Sequence, residues 1–454
     1  MPASLFRSAV LSAVAGFLGF TTPAALAESS ALPDIQATGD VVAASTIDRR
    51  INVAARRAIE RGRQIFRHDT FGSEQYWGGR LRLHEAIAGA AFGGVGPGVG
   101  PKTALAVGLK VDLDALPAPL IEQLRAGQVD LDAPATTLAL LKLDAVVGLE
   151  GRFDAAGNLR TLGVQCALCH SDVDDALAEG IGHRLDGWAN RDLNVGAIVS
   201  LAPNLAPIAD VLGVDVATVR KVLASWDPGR YDALLDKDGK AFRPDGRQAG
   251  TLIPPAFGLA GVNLHTWTGF GSVPYWNAYV AVTQMHGSGT FFDARLANPD
   301  QYPVAARTGA YDVRGVPDRV TSKLAALHLY QLALAAPKPP AGSFNAVAAE
   351  RGARLFRNKA DCARCHVPPL FTEPGHNLHT PEELGIDAFQ ANRSPTRMYR
   401  TAPLAGLWTH TKGGFYHDGR FPTLTAVLNH YDRRFGLGLT AAEKRDLAQY
   451  LLSL

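Results

Sequence analysis

The segments Cys166-Ala167-Leu168-Cys169-His170 and Cys362-Ala363-Arg364-Cys365-His366 decide how this chain folds, because each repeats the pattern CxxCH. Two cysteines on one turn can each add to one of the two vinyl groups of haem, and the histidine that follows then faces the iron as its proximal ligand. The two motifs contain all four cysteines of the chain. A zinc site would need four close ligands and a redox dithiol a βαβ setting, and neither pattern is visible. The sequence therefore predicts two covalently bound c-type haems.

The composition indicates a folded protein. Its net charge does not favour binding to nucleic acid. The 454 residues include 47% hydrophobic and 19% charged residues, which excludes a disordered protein. The formal net charge of +2 gives no support to nucleic-acid binding, which would require a basic stripe. Since both motifs together use every cysteine, no disulfide framework is expected.

The N-terminus has the order of a secretory signal peptide. Arg7 precedes the apolar run Ala9–Phe20, and Ala25-Leu26-Ala27 supplies a small-x-small cleavage site. The alternative is an uncleaved N-terminal anchor, but the apolar run is short for a membrane span and no later stretch is long enough. We expect residues 1–27 to be removed and the protein to be exported to the periplasm with no stable membrane span.

An internal repeat predicts two domains. The segment Ala58–Arg67 reappears as Ala348–Arg357, both with helical periodicity and with a glycine at the same place, Gly62 and Gly352. A glycine there lets another helix cross closely. In the second copy CxxCH follows at once, whereas in the first it is delayed by a long insertion that includes the glycine-rich loop Gly93–Gly100.

The boundaries of the two domains follow from a linker and a terminal helix. Pro337–Ser343 is typical of a linker, so the first domain is predicted over 50–336 and the second over 342–454. The last helix is predicted over Ala441–Leu452, with Thr440 and Glu443 in capping-box spacing. The predicted fold class is mainly α, with two tandem cytochrome c-type domains, long loops and a large insertion in the first domain.

The two motifs and the C-terminal sequence Phe415-Tyr416-His417-Asp418-Gly419, followed by Pro422-Thr423-Leu424, resemble the bacterial di-haem cytochrome c peroxidase and MauG superfamily. The long interval between His170 and Trp276 is similar to that of its di-haem rubber oxygenases. The resemblance implies a reactive haem on His170, a relay haem on His366 and a tryptophan between them. By the same resemblance this tryptophan is Trp276.

Two positions depart from the peroxidase pattern around Trp276. Peroxidases of this superfamily carry acid–base residues where this chain has Pro274 and Gln284. Glutamine cannot supply the titratable group that general acid–base catalysis requires, which leaves room for O₂ chemistry in an apolar pocket. Phe291, with Phe292 and Tyr275, is expected to line that pocket, although each could equally be a core aromatic. The predicted catalytic residues are therefore Trp276, Phe291 and Gln284.

The distal iron ligands are harder to assign. The family's methionine position for the relay haem holds Tyr431, which resembles the MauG-type pattern and shares a helix face with Leu424 and Leu428. We favour Tyr431 over His430 and Met398, since Met, His and Tyr all serve as axial ligands. For the first haem we expect an open or water-filled sixth position, with His183, then Met285 and His286, as alternative ligands.

These inferences predict a peroxidase-like di-haem oxidoreductase that takes H₂O₂ or O₂. Its electron donor would be a small redox protein or a small molecule, and a calcium ion between the domains occurs in relatives. The alternatives are a haem-dependent dioxygenase acting on an apolar substrate and a passive di-haem electron carrier. Fold alone does not separate them.

Overall fold

Helices account for most of the regular structure in residues 46–454, the part of the chain that the computed structural model describes. With 44% helix and 10% strand, the prediction of a mainly α chain is confirmed. In chain order the α-helices are α1 Thr46–His68, α2 Leu83–Ala88, α3 Pro101–Ala106, α4 Ala118–Arg125, α5 Pro134–Lys142, α6 Ala167–His170, α7 Val195–Ser200, α8 Ala206–Leu212, α9 Val216–Ala224, α10 Leu235–Asp238, α11 Val273–Tyr279, α12 Pro303–Thr308, α13 Leu324–Ala333, α14 Ala346–Arg357, α15 Pro381–Leu384, α16 Phe389–Asn392, α17 Leu424–Phe435 and α18 Ala441–Leu452.

The strands are short and pair two by two. They are β1 Val111–Asp112, β2 Leu149–Phe153, β3 Leu159–Val164, β4 Ser171–Val173, β5 Ile181–Gly182, β6 Arg184–Asp186, β7 Arg230–Tyr231, β8 Thr251–Leu252, β9 Thr290–Phe292 and β10 Asp312–Arg314. The pairs are β1–β5 (parallel) and β2–β3, β4–β6, β7–β8 and β9–β10 (antiparallel). These ribbons fix loops in place and do not form a layer of their own.

Two helix pairs repeat the same packing in the two halves of the chain. Helix α1 packs against α13, and α14 packs against α18. A Cβ added at Gly62 would lie 2.1 Å from the carbonyl oxygen of Ala326, and one added at Gly352 would lie 2.2 Å from that of Asp446. Both glycines therefore allow a backbone approach that any side chain would block. The close helix crossing predicted from the repeat is confirmed in both copies.

The terminal helix follows the sequence signal closely. Helix α18 spans Ala441–Leu452, with the Thr440 side chain accepting from the Glu443 N–H and the Glu443 carboxylate accepting from the Thr440 N–H. Its buried residues Leu447, Tyr450 and Leu451 face α14 and α17. The capping box thus sets the start of the helix at the predicted residue.

Buried apolar side chains form separate clusters on either side of the predicted linker. The larger cluster runs from Ile65 to Tyr330, and a smaller one runs from Phe356 to Leu451. The described residues nevertheless group as one compact unit. The division into 50–336 and 342–454 therefore stays a prediction.

The predicted signal peptide, residues 1–27, lies outside the described residues. Among the described helices, none combines the length and the apolar character that crossing a bilayer would require.

Candidate haem centres

The first CxxCH motif forms a single helical turn. Strand β3 leads to Cys166, which precedes α6, and the His170 N–H donates to the Cys166 carbonyl over 3.2 Å. The His170 Nδ1–H donates to the Pro254 carbonyl over 3.1 Å. This bond fixes the ring and leaves Nε2 as the nitrogen with a free lone pair, which is how metal-binding histidines are usually oriented.

Burial keeps the first motif uncharged. It raises the pKa of Cys166 and that of Cys169 to about 12 and lowers the pKa of His170 to about 4. The imidazole is therefore neutral at physiological pH, the state in which it can bind iron.

The second motif repeats this geometry. Residues Cys362–Arg364 form a 3₁₀ turn, and the His366 N–H donates to the Cys362 carbonyl over 2.9 Å. The His366 Nδ1–H donates to the Phe371 carbonyl over 3.0 Å, and burial lowers the pKa of His366. The pKa of Cys362 is raised to about 12 by burial. Both histidines thus present Nε2, as the attachment motif requires.

A cavity of about 700 Å³ lies against the second motif. A volume of this order is typical of cofactor pockets. Its wall is mostly apolar and includes the motif itself; the lining residues that bear on the argument are Cys362, Cys365, His366, Trp267, Phe356, Arg364, Arg400, His410, Tyr416, His417, Leu428 and Tyr431. His417 is 2% exposed, and its Nε2 has no hydrogen-bond partner. Unpartnered buried polar atoms are rare, so this cavity fits a ligand that carries polar groups, such as a haem.

Tyr431 lies on the wall of this cavity, on α17. Burial raises the pKa of Tyr431 despite a hydrogen bond with Tyr416, and the phenol shares this cavity with Cys362 and Cys365. His430 Nε2–H donates instead to the Leu384 carbonyl over 2.8 Å, and Met398 is 36% exposed. Of the three distal candidates, Tyr431 is the one that lines this cavity, and its role as an iron ligand stays a prediction.

A buried cation lies between the two motifs. Arg191 is 7% exposed, and its Nε and Nη1 have no hydrogen-bond partner. Its Nη2 donates to His410 Nε2, on the wall of the second cavity, over 3.3 Å, while the N–H of neighbouring Asn190 donates to the Cys169 carbonyl. No carboxylate of the described residues pairs with it, and burial lowers the pKa of Arg191 to about 10. An unpaired buried cation is costly, and a haem propionate would neutralise it.

Gln284 belongs to a hydrogen-bonded network near the first motif. It ends the π-helical segment Val280–Gln284, which continues α11, and π-helical turns are frequent at functional sites. Tyr231 Oη donates to Gln284 Oε1 over 2.8 Å, and Gln284 Nε2 donates to Asp236 Oδ1 over 3.1 Å. Burial raises the pKa of Tyr231, and electrostatic interactions with Asp236 and Cys169 raise it further.

This network supplies titratable groups that the sequence did not reveal. We predicted that Gln284 leaves the site without an acid–base residue, whereas the structure connects it to the Asp236 carboxylate and the Tyr231 phenol. Strand β7 carries Tyr231 and pairs with β8, which leads directly to Pro254, the acceptor for His170. No short motif marks Tyr231, because β7 and α11 meet only in the folded chain.

Trp276 and Phe291 lie in one aromatic cluster. The Trp276 ring is 5.7 Å from that of Tyr275 and 5.2 Å from that of Tyr279, and both tyrosines pack on Phe291. The Trp276 Nε1 is buried without a hydrogen-bond partner. Of the predicted catalytic residues, Trp276 and Phe291 thus share one aromatic cluster, whereas Gln284 bonds to Tyr231 and Asp236.

A second tryptophan has a position that sequence reasoning missed. Trp267 lines the cavity beside the second motif and donates from Nε1 to the Leu252 carbonyl over 2.9 Å. No motif in the sequence marks Trp267. The role of Trp276 as the bridging tryptophan stays a prediction.

The alternative ligands of the first haem lie in different surroundings. The His183 side chain is 51% exposed and its Nδ1 pairs with Asp114 over 2.8 Å, so it lies at the surface. The His286 ring stacks on Tyr76 at 3.5 Å, and burial lowers the pKa of His286 to about 4. Met285 is buried beside it. The structure therefore gives no support to His183 as a distal ligand.

Among the described residues, the acidic cluster beside His417 is already paired with cations. Asp387 and Asp418 lie together with His417, but both carboxylates pair with Arg420. Arg243 adds a second cation to the same carboxylates. A calcium ion between the domains stays a prediction without assigned ligands.

Comparison with known proteins links part of the chain to a curated relative. Over 123 residues, 34% are identical to the methylamine utilization protein MauG of Methylorubrum extorquens. Part of this chain is similar to MauG. The match covers 23% of this chain and 34% of the length of MauG. It supports the MauG-like resemblance in the sequence, whereas closeness to the rubber oxygenases stays a prediction. No family model matches the sequence.

Two solved structures have a weak likeness to the chain. A MauG-like protein associated with microbial copper homeostasis is 19% identical, with 47% of this chain and 76% of that chain covered and a TM-score of 0.30. Hydrazine synthase of Kuenenia stuttgartiensis is also 19% identical, with 47% and 75% covered and a TM-score of 0.27. At these TM-scores neither likeness supports a conclusion about this chain.

Proposed function

We propose that this protein is an exported di-haem c-type oxidoreductase with peroxidase-like activity. Cys166 and Cys169 would hold one haem through thioethers with His170 as proximal ligand. Cys362 and Cys365 would hold the other, between His366 and Tyr431. The observation that carries the proposal is that both CxxCH segments form one turn, with the histidine Nδ1–H donating to a backbone carbonyl, a tautomer that keeps the lone pair on Nε2.

The bound haem iron would supply the binding and reduction of H₂O₂ or O₂, and the chain would supply the surroundings. Near the first motif the hydroxyl proton of Tyr231 is directed to Gln284, so the lone pairs of its oxygen remain available for a substrate O–H. The Asp236 carboxylate orients the Gln284 amide through Nε2. The aromatic cluster around Trp276 would limit the entry of water.

The second centre suits the storage of electrons. Its cavity is lined by apolar residues such as Phe356 and Leu428. Tyr431 on the same wall would supply a second protein ligand to a haem held by His366. A six-coordinate iron has no position for substrate, so this haem would exchange electrons with the first and with a small redox protein or small-molecule donor. The tyrosine ligand would lower its reduction potential relative to methionine.

One observation favours a second candidate function. The interior beside Trp276 is rich in aromatic rings, and Phe291 is buried against Tyr275 and Tyr279. An apolar substrate would fit such surroundings, which keeps a haem-dependent dioxygenase as the second proposal. A passive electron carrier is the third.

Electron paramagnetic resonance of the ferric holoprotein tests these proposals. We expect a high-spin signal from the first haem together with a low-spin signal from the second, and we expect H₂O₂ to change the Soret band. A reduced protein that reacts with O₂ but not with H₂O₂ would favour the dioxygenase. Two low-spin signals that ignore both oxidants would leave only the carrier.

A further inference from the structure

Two tyrosines contact Trp276, and their hydroxyl groups donate hydrogen bonds to different kinds of acceptor. The Tyr275 Oη donates to the Asp293 carboxylate Oδ2 over 2.7 Å. The Tyr279 Oη donates to a backbone carbonyl, that of Ala233. Their rings are at nearly the same distance from the Trp276 ring, 5.7 Å and 5.2 Å. The two side chains therefore form a matched pair in which only one has a base as hydrogen-bond partner.

We infer that Tyr275 is a redox-active side chain that reduces oxidised Trp276 and delivers its hydroxyl proton to Asp293. The inference rests on the proposed function and on the predicted role of Trp276 between the haems, because the oxidising equivalent originates in H₂O₂ reduction at the first haem and reaches Tyr275 through Trp276. In this step one electron moves from Tyr275 to the Trp276 radical cation, which keeps its N–H proton because Nε1 has no hydrogen-bond partner, and the O–H bond of Tyr275 breaks as the proton binds to Asp293 Oδ2. The products are a neutral Tyr275 radical, restored Trp276 and a protonated Asp293.

The surroundings of Asp293 suit this role. Its side chain is 7% exposed, and Arg295 holds it through bonds from Nε and Nη2. Hydrogen bonds from Arg295 and Tyr275 lower the pKa of Asp293 despite its burial, so the carboxylate is ionised before the transfer. An oxidised phenol is a strong acid, and a carboxylate already bonded to it can take the proton without rearrangement. Tyr279 lacks such an acceptor, so its oxidation would leave a buried positive charge.

Tyr275 is more exposed than Tyr279, so an external electron donor could reach it. Tyr279 is fully buried, whereas Tyr275 is only partly buried, and the Arg295 side chain beside it is 47% exposed. The Arg295 guanidinium carbon lies 5.6 Å from the centre of the Tyr275 ring. A small electron donor at this surface could return an electron to Tyr275, with the proton coming back from Asp293. Substrate oxidation would then occur away from the haem.

Freeze-quench electron paramagnetic resonance of the holoprotein after H₂O₂ addition tests this inference. We expect a tyrosyl radical signal that narrows when ring-deuterated tyrosine is incorporated. Tyr275→Phe should lose this signal, and Asp293→Asn, which keeps a hydrogen-bond acceptor but no base, should lose most of it. The matched control Tyr279→Phe should keep it.

Several results would overturn the relay. Tyr330 also donates to a carboxylate, that of Asp186, so Tyr330→Phe is a necessary comparison. If the Soret band responds to H₂O₂ but the radical persists in Tyr275→Phe, or disappears in Tyr279→Phe or Tyr330→Phe, the inference is wrong and the proposed function stands. If the Soret band does not respond, the proposed function fails and the relay fails with it. Should Tyr275→Phe not fold, the Asp293→Asn variant decides.

Discussion

Replacing Arg393 by alanine should lower the free energy of unfolding by about 3–5 kcal/mol, because the change leaves buried carboxylates without a partner. The Arg393 side chain is 1% exposed, and it binds Asp232 and Asp238, which are 2% and 0% exposed. Nε donates to Asp238 over 2.7 Å and Nη2 donates to Asp232 over 2.9 Å. Urea denaturation followed by circular dichroism measures the effect.

This ion pair also connects the two predicted domains. Arg393 lies within 342–454, whereas both carboxylates lie within 50–336. The matched control is Arg314→Ala, since Arg314 pairs with Asp312 at the surface and its side chain is 60% exposed. We expect that control to change the free energy of unfolding by less than about 1 kcal/mol. Equal effects of the two substitutions on the free energy of unfolding would contradict a stabilising role for the buried ion pairs of Arg393.

Replacing Tyr431 by phenylalanine should convert the iron of the second haem from six-coordinate to five-coordinate. The low-spin resonance of that haem should disappear, a second high-spin signal should take its place, and the reduction potential should rise, because phenylalanine cannot bind iron. Redox titration with optical detection measures the potential, and low-temperature electron paramagnetic resonance measures the spin state.

Two neighbours of Tyr431 provide controls. Tyr416 lines the same cavity, and His430 is adjacent in sequence but bonded to the Leu384 carbonyl. Tyr416→Phe and His430→Gln should both keep the low-spin resonance. An unchanged spectrum in Tyr431→Phe would remove this residue as a ligand, and loss of the low-spin signal in His430→Gln would assign the ligand to His430.

Features encoded by short segments could be predicted from the sequence. The capping box at Thr440 and Glu443 sets the start of α18, and both residues act on backbone groups within one turn. The glycines Gly62 and Gly352 were recognisable because the segment around them repeats. The CxxCH turns are local as well, so the sequence alone predicts the attachment residues.

Features that depend on contacts between distant segments could not be predicted. Tyr231 reaches Gln284 only because β7, which pairs with β8, lies beside the π-helical segment Val280–Gln284 in the folded chain. No sequence motif singles out Arg191, because an unpaired cation is recognisable only once its burial is known. The position of Trp267 on the cavity wall likewise depends on how the segment after Pro254 folds back towards the second motif.

The mass of the exported, purified protein tests the central claim most directly. Under denaturing conditions, which release any non-covalent cofactor, we expect the mass of the processed polypeptide plus two haem groups. A Cys166→Ser/Cys169→Ser variant and a Cys362→Ser/Cys365→Ser variant should each carry one haem fewer. A colourless wild-type protein with the mass of the bare polypeptide would contradict the account.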